Sequence, residues 1–593
     1  MAKPSKPVRK KRPEYGSDII VDLMKAFDIE YAAFNPGATF RGIHDSILNY
    51  GGNKCPEVIF CCHEEYSVAI AHGYAKAKGK PMVAITHNIV GLQHASMAIF
   101  NAWCDRVPVI VMGGTGPMDA TRRRPWIDWI HTALVQGNQV RDYVKWDDQP
   151  FSLKSVPESF IRGYRIATTE PQAPVYICYD ADIQEDPIKT PIEIPDLNRF
   201  APPAPIQGNS EALKHAAELL VGAKSPLIIA DLLGRNHAAV DALVKLAELL
   251  AIPVIDKGKR FNFPNTHALD ITEGGKEFLA KADVILALDV PDLYGSLVSL
   301  NRTTRVSEYI VRPSAKIIHI HMNDMLLKSW AHDYQVLPPV DVPISADTSV
   351  AIPELVSICR RLLRKDSAKK KPISSRFKKI KTHHDKLRKQ WAAGARLQSN
   401  AAVISTAFLA EELWEVIKRE DWVLANYNAR GWVRRLWEWT KPSQYLGRSG
   451  GAGIGYGLSA AIGAALAYKG SDKICVDIQS DGDLLMTASA LYTAAHHNIP
   501  LLMVMHNNQS FYNSEEHGIN IAKFRNRPVE LAGIGTRVDK PAVDFRKVAE
   551  GFGIYAEGPI TRSEDLRPAL LKALKVVKQQ KAPALVDVIA APR

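Results

Sequence analysis

The sequence predicts an α/β protein of three doubly wound, mostly parallel sheets, and three observations carry that prediction. Its 593 residues exceed what one hydrophobic core organises, since single cores stop growing near ~250–300 residues. Short apolar runs alternate with helical patterns in three successive blocks, and such alternation builds parallel sheets with helices on both faces. Stretches rich in proline or in basic residues separate the blocks.

In the first block, residues 15–190, strands are predicted at 31–34, 58–61, 82–85, 107–112 and 175–178, with helices over 64–78 and 93–102 between them. The proline-rich run 192–205 marks a linker, taken as 191–209. The second block, 210–364, has predicted strands at 227–230, 254–255, 284–288 and 316–321. A basic connector over 365–400 leads to the third block, 401–593, with strands at 422–425, 473–478, 501–506 and 584–589.

The net charge of +12 is concentrated rather than spread. The first 12 residues hold six basic residues and no acid, and residues 360–389 hold fourteen against Asp366 and Asp385. The rest of the chain is therefore net acidic. A nucleic-acid-binding face is not expected, residues 1–14 read as a disordered tail, and both basic segments read as solvated and flexible. No apolar run approaches the ~20 residues of a membrane span. The first 12 residues lack the apolar segment of a secretory signal. Seven scattered cysteines without a C-x-x-C pair suggest reduced thiols and a cytoplasmic location.

The third block carries the most specific chemistry. Ser480-Asp481-Gly482-Asp483 follows one predicted strand, and His506-Asn507-Asn508-Gln509 follows the next. Polar residues at the ends of neighbouring parallel strands meet at the carboxyl edge of a sheet, where α/β folds bind ligands. Asp481 and Asn508 offer oxygen ligands to a hard cation that also grips phosphates, as Mg²⁺ does. The Gly-rich run 449–457 opens a helix and allows close backbone approach to a diphosphate. Either half alone reads more readily as an ordinary turn.

Asp481-Gly482 through Asn507-Asn508 resembles the G-D-G…N-N signature of thiamine-diphosphate (ThDP) enzymes of the acetolactate synthase, benzoylformate decarboxylase and pyruvate decarboxylase type. The resemblance spans nearly the whole chain and implies a pyrimidine-binding domain, a middle domain and a diphosphate-binding domain, in that order. It implies that Asp481, Asn508 and the Ser510 carbonyl hold Mg²⁺ and that Gly482 and Asp483 lie against the cofactor. Two residues depart from the pattern: Ser480 replaces a glycine, and Asp483 stands where a small residue is usual. The extra carboxylate either contacts the metal side or weakens anion binding.

Cys62-His63-Glu64-Glu65 is similar to the family's H-E motif, which implies that Glu64 hydrogen-bonds the cofactor's pyrimidine ring. Ile454 stands at the family's wedge position, and the Ala452 carbonyl would meet the cofactor's amino group. Thr86-His87-Asn88-Ile89-Val90-Gly91 and Arg260-Phe261-Asn262-Phe263-Pro264-Asn265-Thr266-His267 resemble the benzoylformate decarboxylase pattern. They imply that His87 and His267 handle protons at the reacting carbon. Ala38 replaces that enzyme's substrate-carboxylate serine, which puts its aryl specificity in question. Trp422, Trp432, Trp437 and Trp439 read equally as pocket lining or core, and Ser514-Glu515-Glu516-His517 as specificity residues or a solvated helix start.

The resemblance implies cleavage or formation of a C–C bond beside a carbonyl, with 2-oxo acid decarboxylation, and carboligation beside it, as the leading expectation. Acetolactate synthase-type carboligation and 2-hydroxyacyl-CoA cleavage stay open; a non-enzymatic polyanion-binding protein is the alternative of a different class. FAD stays open but is not the expectation, because the middle block lacks G-x-G-x-x-G and a match to the synthases' flavin-binding segments. The family places its cofactor between two chains, which implies a homodimer at least, within an expected homotetramer.

Overall fold

The computed structural model describes residues 12–328, 336–398, 403–427 and 431–592. The tail residues before Arg12 lie outside the described residues. The chain divides into two compact units, residues 1–75 with 80–203 and residues 76–79 with 204–593. The division at 203/204 falls inside the predicted linker. Among the described residues, no helix is long and apolar enough to cross a membrane.

The first unit holds a six-stranded parallel sheet of β1 (Tyr31–Phe34), β2 (Glu57–Phe60), β3 (Val83–Thr86), β4 (Ile110–Thr115), β5 (Trp146–Asp148) and β6 (Val175–Asp180), ordered β2-β1-β3-β4-β6-β5. β1 pairs with β2 on one side and β3 on the other. Strand order therefore reverses between β1 and β3, a topological switch point. Helix α1 (Glu64–Lys78) starts just past β2, and α2 (Ile89–Cys104) just past β3. The sequence pattern missed β5, whose Trp-Asp-Asp is half-buried and has no apolar run.

The second unit holds two five-stranded parallel sheets. In the middle block, β7 (Pro226–Ala230), β8 (Val254–Asp256), β9 (Val284–Leu288), β12 (Lys316–His321) and β13 (Val342–Ser345) run in the order β13-β12-β9-β7-β8, beside an antiparallel hairpin of β10 (Val298–Leu300) and β11 (Ser307–Tyr309). In the third block, β14 (Trp422–Tyr427), β15 (Ile474–Ser480), β16 (Leu502–Asn507), β17 (Tyr555–Ile560) and β18 (Ala584–Ile589) run in the order β14-β15-β16-β18-β17. β13 and β17 are edge strands with exposed positions, so their apolar signal is weak.

The predicted basic connector is not a free linker where it is described. Helix α3 (His237–Leu250) packs against α4 (Thr348–Lys365), which precedes α5 (Lys370–Leu397). In α5, Ile373 and Phe377 pack on the core and Ile380 and His384 are buried, at spacings that keep one face of a helix inward. Arg376 Nε donates to the Ala251 carbonyl at 3.0 Å and its Nη2 to Leu250, capping α3 with a cation at the favourable end of its dipole. Arg360, Arg364, Lys370, Lys378 and Lys381 ring a groove of about 800 Å³ there. Leu250 and Ala251 precede β8, so this groove lies at the amino edge of the middle sheet, opposite the edge where α/β folds bind ligands.

The middle and third blocks are joined by buried charge. Arg434 donates to Asp256 Oδ2 at 3.2 Å and to Asp270 Oδ1 at 3.1 Å. Removing one member of such a group leaves a buried charge unpaired, at a cost of about 3–5 kcal/mol.

Candidate active site

In the third block the register pairs Ser480 with His506, so Asp481 and Asn507 emerge side by side from β15 and β16. Asp481 opens helix α7 (Asp481–Thr487) and is buried. Its Oδ1 accepts from the Gly482 amide at 2.8 Å and its Oδ2 from the Ser510 amide at 3.1 Å. Asn508 Oδ1 accepts from that same Ser510 amide at 3.0 Å. One N–H thus gathers two side-chain oxygens from neighbouring strand ends. Burial raises the Asp481 pKa above the ordinary carboxylate range, and backbone hydrogen bonds offset part of that rise. Among the described residues no lysine or arginine forms an ion pair with it. A buried carboxylate and an amide oxygen drawn together without a cationic side chain fit a hard divalent cation. A Cβ on Gly482 would stand 2.6 Å from the Phe511 ring, so glycine is required where that ring crosses the turn.

Sequence reasoning missed what holds Ser510. Its hydroxyl donates to Glu515 Oε2 at 2.6 Å, and Arg537 Nε and Nη2 donate to Glu515 Oε1 at 3.0 and 2.9 Å. Glu515 lies buried in helix α8 (Tyr512–Phe524). Glu515 therefore clamps the loop that carries Ser510. The available signal was an acid five residues beyond a strand-end serine, within reach of one helical turn.

Asp483 faces the Gly-rich loop of the third block. Its Oδ1 accepts from the Gly455 amide at 2.5 Å, and its Oδ2 accepts from the Gly457 amide at 3.2 Å and from Gln479 Nε2 at 2.6 Å. Gly455 is the residue before helix α6 (Tyr456–Ala467). Both carboxylate oxygens are thus engaged in capping α6. Ala452, upstream in the same loop, has φ of 54°, a left-handed conformation uncommon outside glycine. Ile454 is 47% exposed, a large apolar side chain on a polar loop.

The tryptophans belong to the core. Trp437 and Trp439 are fully buried; Trp437 Nε1 donates to the Ala410 carbonyl at 2.8 Å, and Trp439 stacks on Tyr445.

In the first unit, Glu64 heads α1 and is 3% exposed. Asn35 Nδ2 donates to its Oε1 at 3.2 Å, and His94 Nδ1 lies 3.1 Å from its Oε2. Burial pushes its pKa up, but hydrogen bonds from His94, Asn35 and the backbone prevail and hold it below the ordinary value. A Cβ on Gly91 would meet Glu64 Oε1 and His87 Cβ, each at 2.8 Å. The glycine at the start of α2 thus makes room for carboxylate and imidazole together. His87 follows β3, with Nδ1 against Asn88 Oδ1, while Asn88 Nδ2 donates to the His131 carbonyl at 2.7 Å. Burial keeps the His87 pKa below its ordinary value.

His267 lies in the middle block. Its Nδ1 accepts from the Leu269 amide at 3.1 Å, its Nε2 lies 3.3 Å from Glu248 Oε1, and its ring stands edge-on to Phe263. Both nitrogens are engaged within the middle block.

The sequence matches three models of one family: the thiamine pyrophosphate enzyme N-terminal TPP binding domain over residues 15–138, the central domain over 213–355 and the C-terminal TPP binding domain over 428–588. The chain belongs to the thiamine pyrophosphate-dependent enzymes. Tobacco (Nicotiana tabacum) chloroplastic acetolactate synthase 2 is 25% identical over 604 aligned residues, covering 97% of this chain and 82% of the relative. The acetolactate synthase large subunit of Haemophilus influenzae is 23% identical, covering 95% and 92%. Among solved structures, benzoylformate decarboxylase from Polynucleobacter necessarius superposes with a TM-score of 0.74 at 17% identity, over 98% of this chain and 99% of that one. The 4-hydroxybenzoylformate decarboxylase of Rhodococcus jostii gives 0.73 at 19% identity, over 97% and 99%. These superpositions establish a shared fold of three α/β domains. Membership in this enzyme family removes the non-enzymatic polyanion-binding reading.

Proposed function

We propose that this enzyme uses ThDP and Mg²⁺ to decarboxylate a 2-oxo acid. The reading is carried by one observation: Asp481 Oδ2 and Asn508 Oδ1 converge on a single Ser510 amide at neighbouring strand ends. When bound, thiamine diphosphate would supply a nucleophilic carbon and an electron sink for the reaction.

The chain's own residues do the positioning. Asp481, Asn508 and the Ser510 carbonyl would hold Mg²⁺ against the diphosphate, with Gly482 beside them. The Ala452 carbonyl and Ile454 would meet the ring portion, and covering Ile454 would remove an exposed apolar side chain from water. Glu64 would present its carboxyl to the pyrimidine nitrogen, sharing a proton there. His87, largely neutral at neutral pH because of its burial, is suited to accept and return a proton beside the substrate. His267 is left out of this reading because its nitrogens are taken by Leu269 and Glu248.

Carboligation is the second reading, favoured by the names of the relatives, which are acetolactate synthases; it shares the decarboxylation step and adds an acceptor carbonyl. The acyl-CoA reading loses its support from the basic segment, since that groove lies at the amino edge of the middle sheet. The resemblance carries with it a homodimer as the smallest active unit, within a tetramer. A cytoplasmic location accords with seven cysteines that form no disulfide.

The test is CO₂ release from a panel of aliphatic and aromatic 2-oxo acids with ThDP and Mg²⁺, using Glu64→Gln as the blank. Glu64-dependent release supports the reading. Release from no acid, with cofactor bound, refutes decarboxylation.

A further inference from the structure

Three metal-ligating side chains meet in the first unit at a place where the cofactor reading needs only one of them. His63, Glu64 and His94 each offer a ligand atom, all within 4.8 Å of one another. The His63 and His94 rings stack with centroids 4.6 Å apart and planes 23° apart. The Glu65 amide donates to His63 Nδ1 at 3.2 Å, which fixes that ring. His94 Nδ1 already lies 3.1 Å from Glu64 Oε2.

We propose that His63, Glu64 and His94 form a binding site for a borderline divalent transition metal such as Zn²⁺, and that occupation of this site withholds the Glu64 carboxylate from the cofactor. Two imidazoles and a carboxylate are a common zinc donor set, and tetrahedral coordination at about 2.0–2.2 Å needs ligand atoms about 3.3–3.5 Å apart. The observed spread is somewhat wider, but the His94 side chain is 53% exposed and can turn inward without disturbing the core. Mg²⁺ prefers oxygen donors and retains its waters, so the cluster discriminates against the cation proposed for the Asp481 site. The fourth position of a tetrahedral ion stays open to water.

Zinc binding stands on this geometry alone; its competition with the cofactor rests on the reading of Glu64 given above. The test uses the full chain, stripped of metals and cofactor. It is titrated with Zn²⁺ by calorimetry and with Co²⁺ by its visible ligand-field absorption, in excess Mg²⁺. Wild type should bind one equivalent at this site with a tetrahedral Co²⁺ spectrum. His63→Gln and His94→Asn should each weaken that equivalent by more than the ~10-fold that even an outer-shell change costs, with the circular dichroism spectrum unchanged. His94→Gln provides a second variant should His94→Asn fail to fold. No bound equivalent, or affinity unchanged in folded His63 and His94 variants, overturns the site. Loading ThDP first should suppress the equivalent. Zinc binding that depends on both histidines yet ignores ThDP overturns the competition, while failure of Glu64-dependent turnover would bear on the proposed function alone.

Discussion

Glu64 and Asp481 are both buried carboxylates at the start of a helix that follows a parallel strand, yet they are held in opposite ways. Asp481 accepts from backbone amides of Gly482 and Ser510, groups fixed by the chain itself. Glu64 takes its largest hydrogen bonds from the side chains of Asn35 and His94, which can turn, with a backbone hydrogen bond as a smaller contribution. Fixed dipoles suit a group that must hold a cation in one geometry. Adjustable side-chain partners suit a group that must exchange a proton, since its hydrogen bonds must be remade when the charge changes. Sequence placement alone made the two residues look alike; their partners separate them.

The comparison can be broken at several points. If Glu64 handles a proton while Asp481 handles binding, Glu64→Gln should lower turnover by ~10²–10⁴-fold, the range for general acid–base groups, with cofactor affinity changed little in calorimetry. A large loss of affinity instead would make Glu64 a binding residue. The Ser510 clamp supports the metal loop from outside, so Glu515→Gln should weaken Mg²⁺-dependent ThDP affinity by ~10–100-fold, as outer-shell changes do. Asp483 should matter to the fold alone. Asp483→Ala removes the cap of α6 and should cost about 1–2 kcal/mol in denaturant unfolding, and cofactor affinity should fall no more than that stability loss explains.

The smallest effect is a pH dependence. Burial pushes the Asp477 pKa up to about 7, with the hydrogen bond from Asn426 offsetting only part of the rise. The folded state therefore keeps a proton that the unfolded state releases near the ordinary value, about 3.9. Stability falls as pH rises through that interval, because the folded state binds more protons there. In Asp477→Asn, thermal unfolding temperature between pH 5 and 7 should vary less than in wild type. An unchanged slope would show that Asp477 is ionised in the fold.

Much of the scaffold was legible because central parallel strands are continuous apolar runs and strand-end polar residues fall on one edge by topology. The helix beginning at Glu64 was legible for the same reason. What escaped depends on distant partners. Asp483 caps a helix that begins more than twenty residues earlier, and Glu515 is completed by Arg537 across a loop; neither pairing leaves a local periodicity. The basic segment misled because its charge was counted and its apolar spacing, Ile373, Phe377 and Ile380, was not. Edge strands β5, β13 and β17 lack the continuous apolar signal of buried ones.

The most direct test of the division between the two carboxylates is calorimetric titration of ThDP with and without Mg²⁺ into wild type, Asp481→Ala and Glu64→Gln. The account predicts that Mg²⁺ strengthens binding in wild type and Glu64→Gln and has no effect in Asp481→Ala. Mg²⁺-dependent binding that survives in Asp481→Ala, or disappears in Glu64→Gln, would contradict it.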